Sequence, residues 1–115
     1  MQSFKYAFNG IRILLNREHN AWIHFFLTVC VLVAGFAFKI STEEWIAVIF
    51  CIGLVFALEL LNTAIEYMAD FVSKDYHESI KKSKDLAAGA VLTGAIAAAA
   101  IGLIIFLPKI IALIC

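Results

Sequence analysis

Residues 45–70 read WIAVIFCIGLVFALELLNTAIEYMAD, and the first fourteen of them carry no charge. Fourteen residues are too few for the ~17–25 that a helix needs to cross a bilayer. The crossing must therefore continue through Glu59 and Asn62, and a membrane helix is expected over residues 45–66. At about 100° per residue, Glu59, Asn62, Glu66 and Asp70 fall near 0°, −60°, −20° and +20°, on one face about 80° wide. An ionised carboxylate in hydrocarbon is costly or becomes neutralised, so Glu59 should face a partner helix, a cavity or a metal. A solvated face on a helix leaving the membrane would explain Asp70 alone. It does not explain Glu59, which follows an uncharged run.

Two further apolar runs flank this one. Residues 21–38, AWIHFFLTVCVLVAGFAF, are eighteen without a formal charge, and residues 86–107 form an alanine-rich run closed by Pro108 and Lys109. The expected architecture is a single all-α integral-membrane domain over residues 1–115, with spans at 21–38, 45–66 and 86–107. Composition agrees: 63% of the 115 residues are hydrophobic, 16% are charged, and the mean hydropathy is +0.95. Average soluble chains are about 45–50% apolar and about 25% charged. Nine basic and nine acidic side chains sum to zero, which gives no footprint for nucleic acid, and the apolar content excludes disorder. Cys30, Cys51 and Cys115 form no CxxC pair and are expected as small apolar fillers. The first apolar run is too long for a cleavable signal's core.

Over residues 1–20, Phe4, Phe8, Ile11 and Leu15 recur at helical spacing while Lys5, Arg12 and Arg17 fall elsewhere on the wheel. This is the pattern of an amphipathic surface helix, or of a helix packed on the rest of the protein. The segments between spans carry three, one, four and one Lys or Arg in chain order. By the positive-inside rule the N-terminus and the 67–85 loop are expected in the cytoplasm, with the first loop and the C-terminus outside.

Charged residues beside the stripe extend it. Glu18 precedes the first span at a comparable depth, and with Glu66 it could hold Mg²⁺, which takes one or two protein carboxylates and leaves its other positions to water and phosphate. Taken alone, a glutamate there is an ordinary solvated or capping group. Lys81 and Lys82 serve as inside anchors, whereas Lys84 could contact phosphate and Asp85 could cap a helix or bind ribose or metal. The two glycines of Gly89 to Gly94 have the phosphate-loop spacing, but Ala95 stands where lysine is required, so they are expected to allow close helix packing. His19, His24 and His77 lack mutual ligand spacing and are expected as interfacial polar groups.

The segment 58–91, LELLNTAIEYMADFVSKDYHESIKKSKDLAAGAV, resembles the signature of the small prokaryotic diacylglycerol kinase family, which includes Gram-positive undecaprenol kinases. The likeness lies in Glu59, Asn62, Glu66 and Asp70, then Tyr76-His77 and Lys84-Asp85, with Glu18 ahead of Asn20, and it extends along the whole chain. It implies a homotrimer with composite sites between protomers at the cytoplasmic surface of a bacterial plasma membrane. It also implies phosphoryl transfer from ATP to a lipid alcohol. Glu59 would be the catalytic general base, Glu18 and Glu66 would bind the Mg²⁺ carried with ATP, and Asn62, Asp70, Lys84 and Asp85 would orient the nucleotide. Positioning and charge neutralisation suffice for such chemistry. Thr63, Ala87-Ala-Gly-Ala90 and the closing Phe106-Leu-Pro-Lys109 are more similar to the undecaprenol kinase branch, so undecaprenol is the expected acceptor and diacylglycerol the alternative. An ion-coupled transporter or channel subunit is the rival from another class. It needs polar groups continuing outward, and residues 86–107 offer only Thr93.

Overall fold

A computed structural model describes residues 2–17 and 19–115, and the described residues form four helices. These are α1 (Gln2–Arg17), α2 (His19–Ala37), α3 (Thr42–Val72) and α4 (Glu78–Ile114). The last three are long and apolar enough to cross a membrane. Large side chains stay bare on their outer faces, with Phe36 at 74% and Ile104 at 73% exposure. Such surfaces need lipid or other apolar partners.

Helices of 31 and 37 residues measure roughly 46 and 55 Å, against ~30 Å of hydrocarbon. Both α3 and α4 therefore project beyond the apolar layer. This corrects the expected 67–85 loop, because the non-helical link is only residues 73–77. Charge at 78–85 suggested a loop, yet the same charges support a solvated helix through Lys81–Asp85 at 2.6 Å and Lys82–Glu78 at 3.5 Å, each four residues apart. Pro108 likewise does not close the last helix, which continues to Ile114. Proline removes one backbone donor from the ladder. One residue on, Lys109 Nζ donates to the Ile105 carbonyl at 3.3 Å and to Glu44 Oε2 at 2.9 Å, tying the helix to the start of α3.

The α2–α3 connection is tightly specified. Lys39 adopts a left-handed φ of 53°, its N–H bonds the Phe36 carbonyl, and the Ile40 N–H bonds the Gly35 carbonyl, which together form a Schellman ending. Ser41 then caps α3 in a reciprocal box, donating its N–H to Glu44 Oε1 at 2.9 Å and accepting from the Glu44 N–H at 3.2 Å. Ile40, Val48 and Ile105 are buried here, with Trp45, Phe38 and Phe106 packed around them. At the other end Leu14 is fully buried and anchors α1, while Phe4, Phe8 and Ile11 are exposed. The Trp22 indole donates to the Leu15 carbonyl at 2.6 Å, satisfying one of the acceptors left open at the end of α1.

The most extensive pairing is α3 on α4. Gly94 lies under Leu58, where an added Cβ would meet Leu58 Cδ1 at 2.5 Å. Gly35 lies under Trp45, where it would meet the indole at 2.6 and 2.9 Å. A leucine tip can rotate away, but an indole wedged between Gly35 and Phe36 cannot do so cheaply. Gly35→Ala should therefore lower the thermal midpoint in detergent micelles through overpacking worth ~1–3 kcal/mol, and Gly94→Ala should lower it less. Equal losses would show that the indole packing is not the tighter constraint.

Candidate active site

Four polar residues on one face of α3 rise from the water-facing end into the apolar region. The deepest is Glu59, only 6% exposed. Its Oε1 lies 3.2 Å from Nε2 of His24 on α2, so a charged or polar partner meets it from the neighbouring helix. Beside this pair opens an apolar cavity of about 290 Å³, lined by residues that include His24, Thr28, Val55, Phe56, Ala98 and Phe106.

One turn toward the C-terminal end of α3, the Asn62 amide donates to Glu66 Oε1 at 3.4 Å. The Oδ1 of Asn62 and the Oγ1 of Thr63 are buried and have no hydrogen-bond partner among the described residues. Arg17, the last residue of α1, lies across the lower stripe, with Nη2 3.8 Å from Glu66 and 3.7 Å from Asp70 and its guanidinium 3.9 Å above the Tyr67 ring. These ion-pair distances are loose, unlike that of Lys84, whose Nζ donates to Asp70 Oδ1 at 2.7 Å from α4. Asp70 lies beyond the apolar part of α3. The Lys84 hydrogen bond holds its pKa below the ordinary carboxylate value, with the charges of Lys84, Arg17 and Lys74 adding to the effect against partial desolvation.

The stripe is thus assembled as the spacing implied: Glu59, Asn62, Glu66 and Asp70 share a face, and Lys84 reaches it from fourteen residues away. Asp85 does not join it. It is exposed and pairs with Lys81 on its own helix, and since α4 begins at Glu78 it lies too far inside to cap the helix. Glu18 lies outside the described residues. Among the described residues no three His, Cys, Asp or Glu side chains gather, and of the two expected metal ligands Glu66 is the one the structure describes. A partly exposed carboxylate beside Asn62 suits Mg²⁺, which needs only one or two protein oxygens.

Sequence reasoning missed Arg17 and His24. Each had a signal: Arg17 adjoins Glu18, and His24 is the lone imidazole within the first span and so requires a polar partner. Thr93, by contrast, donates to the Gly89 carbonyl of its own helix at 2.8 Å.

The Asp70–Lys84 pair carries a pH signature. A carboxyl whose pKa is lowered on folding adds stability above its unfolded pKa and loses it as pH falls through the folded value. Carbon-detected NMR should find the Asp70 midpoint below the ordinary range, and Lys84→Ala should raise it. An unchanged midpoint in that variant would remove Lys84 as the cause.

Comparison with known proteins bears on this geometry. Residues 5–106 match the model of the family described as prokaryotic diacylglycerol kinase. The chain is similar to an undecaprenol kinase of Bacillus subtilis (strain 168), with 42% identity over 109 residues, 95% of this chain and 89% of that one. It is 39% identical over 112 residues to a diacylglycerol kinase of Synechocystis sp., covering 96% of this chain but 64% of that longer protein. A diacylglycerol kinase of Haemophilus influenzae shares 33% over 92 residues, 79% of this chain and 77% of that one. A buried glutamate, a charged stripe below it and three apolar helices are thus found in a chain that belongs to the prokaryotic diacylglycerol kinase family of membrane lipid kinases.

Proposed function

We propose that this protein is an undecaprenol kinase, moving the γ-phosphate of MgATP to the hydroxyl of a membrane polyprenol, with diacylglycerol as the alternative acceptor. The observation that carries this reading is the placement of Glu59. It is buried at the apolar level of α3, on the same face as Glu66 and Asp70, which lie two and three turns nearer water beside Arg17 and Lys84. A base for a lipid hydroxyl belongs in the apolar layer, and a site for a charged nucleotide belongs at its edge. The 42% identity to an undecaprenol kinase supports the choice of acceptor.

Glu59 accepts the proton of the lipid hydroxyl as its oxygen attacks the γ-phosphorus, the bond to the bridging oxygen breaks, and ADP leaves with the electron pair. Glu66, with Glu18, would hold the Mg²⁺ that arrives with ATP, and that ion supplies charge neutralisation to the phosphates. Arg17, set between Glu66 and Asp70, balances their charge before the nucleotide binds and offers its planar fork to phosphate. Lys84 is held at the site by Asp70 and adds a second cation, while Asn62 fixes Glu66. Asp85, exposed and turned from the stripe of its own chain, meets the nucleotide where protomers adjoin in a homotrimer. The bare apolar faces of α2 to α4 supply surface for that assembly. The N-terminus and the 73–77 link lie in the cytoplasm, the C-terminus lies outside, and α1 rests Phe4, Phe8 and Ile11 on the bacterial plasma membrane.

Purified protein in mixed micelles with MgATP should phosphorylate undecaprenol faster than diacylglycerol when each is offered separately. The reverse order would select the alternative acceptor, and failure with both lipids while the protein stays folded would overturn the kinase reading. Glu66→Gln should raise the KM for MgATP at least about tenfold, ~1.4 kcal/mol of lost binding, and an unchanged KM would argue against metal ligation.

A further inference from the structure

His24 is the only ionisable side chain other than Cys30 in residues 21–38, and an imidazole among lipid-facing residues is costly without a polar partner. Its partner is Glu59. The imidazole Nε2 lies 3.2 Å from Oε1, with the two side chains 26% and 8% exposed. The position is held from both sides: Trp22, two residues earlier, is tied to the Leu15 carbonyl of α1, and Thr28, one turn later, donates to the His24 carbonyl. His24 also lines the apolar cavity beside Glu59, so the contact lies where the local dielectric is low and a donor to a carboxylate is worth more than in water.

We propose that His24 is a positioning residue for Glu59: its imidazole, with Nε2 3.2 Å from Oε1, holds the carboxylate in the orientation that accepts the alcohol proton. The inference rests on Glu59 acting as the base. A separation of 3.2 Å is long for a charge-assisted hydrogen bond, and such bonds tighten when substrate is bound. His24 itself transfers no proton in this scheme.

Side-chain reach supplies the test. Glutamine presents an N–H at about the position of Nε2, asparagine presents one a bond shorter, and leucine presents none. In micelles with MgATP and undecaprenol, His24→Leu and His24→Asn should lose about 10- to 100-fold in kcat with the KM for MgATP within about twofold, whereas His24→Gln should retain most of the turnover. Adding His24→Leu to Glu59→Gln should cause no further loss. Wild-type kcat in His24→Leu would overturn the proposal, as would a His24→Gln variant no better than His24→Leu. If the leucine variant fails to fold, the contrast between glutamine and asparagine decides in the same way. Full activity in Glu59→Gln would remove the base, and this inference with it. An inactive Glu59→Gln beside a fully active His24→Leu would remove the role of His24 alone.

Discussion

A carboxylate carried inside an apolar helix imposes conditions on everything around it. Glu59 is 6% exposed on a span that begins with fourteen uncharged residues, where an uncompensated charge is not tolerated. Compensation comes from α2, which must pass close enough to bring His24 within 3.2 Å. That approach in turn needs α2 fixed in rotation, which the Trp22 bond to the end of α1 and the Schellman turn at Lys39 provide at its two ends. The same face of α3 then runs on toward its C-terminal end, where Glu66 and Asp70 are matched by Arg17 and Lys84.

The two ends of the molecule are built differently. At the end with the α2–α3 turn, a Schellman ending, a capping box, the Phe36–Trp45 and Phe38–Phe106 ring pairs and the 2.9 Å Lys109–Glu44 bridge lock the helices together. At the other end Lys84–Asp70 at 2.7 Å and Lys81–Asp85 at 2.6 Å are tight, while Arg17 faces Glu66 and Asp70 at 3.8 and 3.7 Å. Loose pairs of this kind can exchange partners when an anion or a cation arrives, which a phosphoryl-transfer site requires. The locked end fixes the register of α3 against α4.

Much of this was legible in the sequence. Three apolar runs stood out by length and hydropathy, and the 3.6-residue period placed Glu59, Asn62, Glu66 and Asp70 together. Helix ends were less legible, because charge at 67–85 signals water and water accommodates a helix as readily as a loop. Pro108 misled for a related reason: loss of one donor does not end a helix whose other bonds and side chains hold it. Arg17 and His24 were hidden because their partners lie on another helix, and no period within α1 or α2 encodes which face meets α3. Asp85 shows the converse. Adjacent to Lys84 in sequence, it points about 100° away on the helix and pairs with Lys81 instead.

In the proposed mechanism the buried Glu59 takes the alcohol proton while the charged groups nearer water hold the nucleotide. Turnover and MgATP affinity measured on one preparation of Glu59→Gln test it most directly. Loss of a general base should lower kcat by about 10²- to 10⁴-fold and leave nucleotide affinity unchanged. Undiminished turnover, or a loss explained wholly by weakened nucleotide binding, would contradict it.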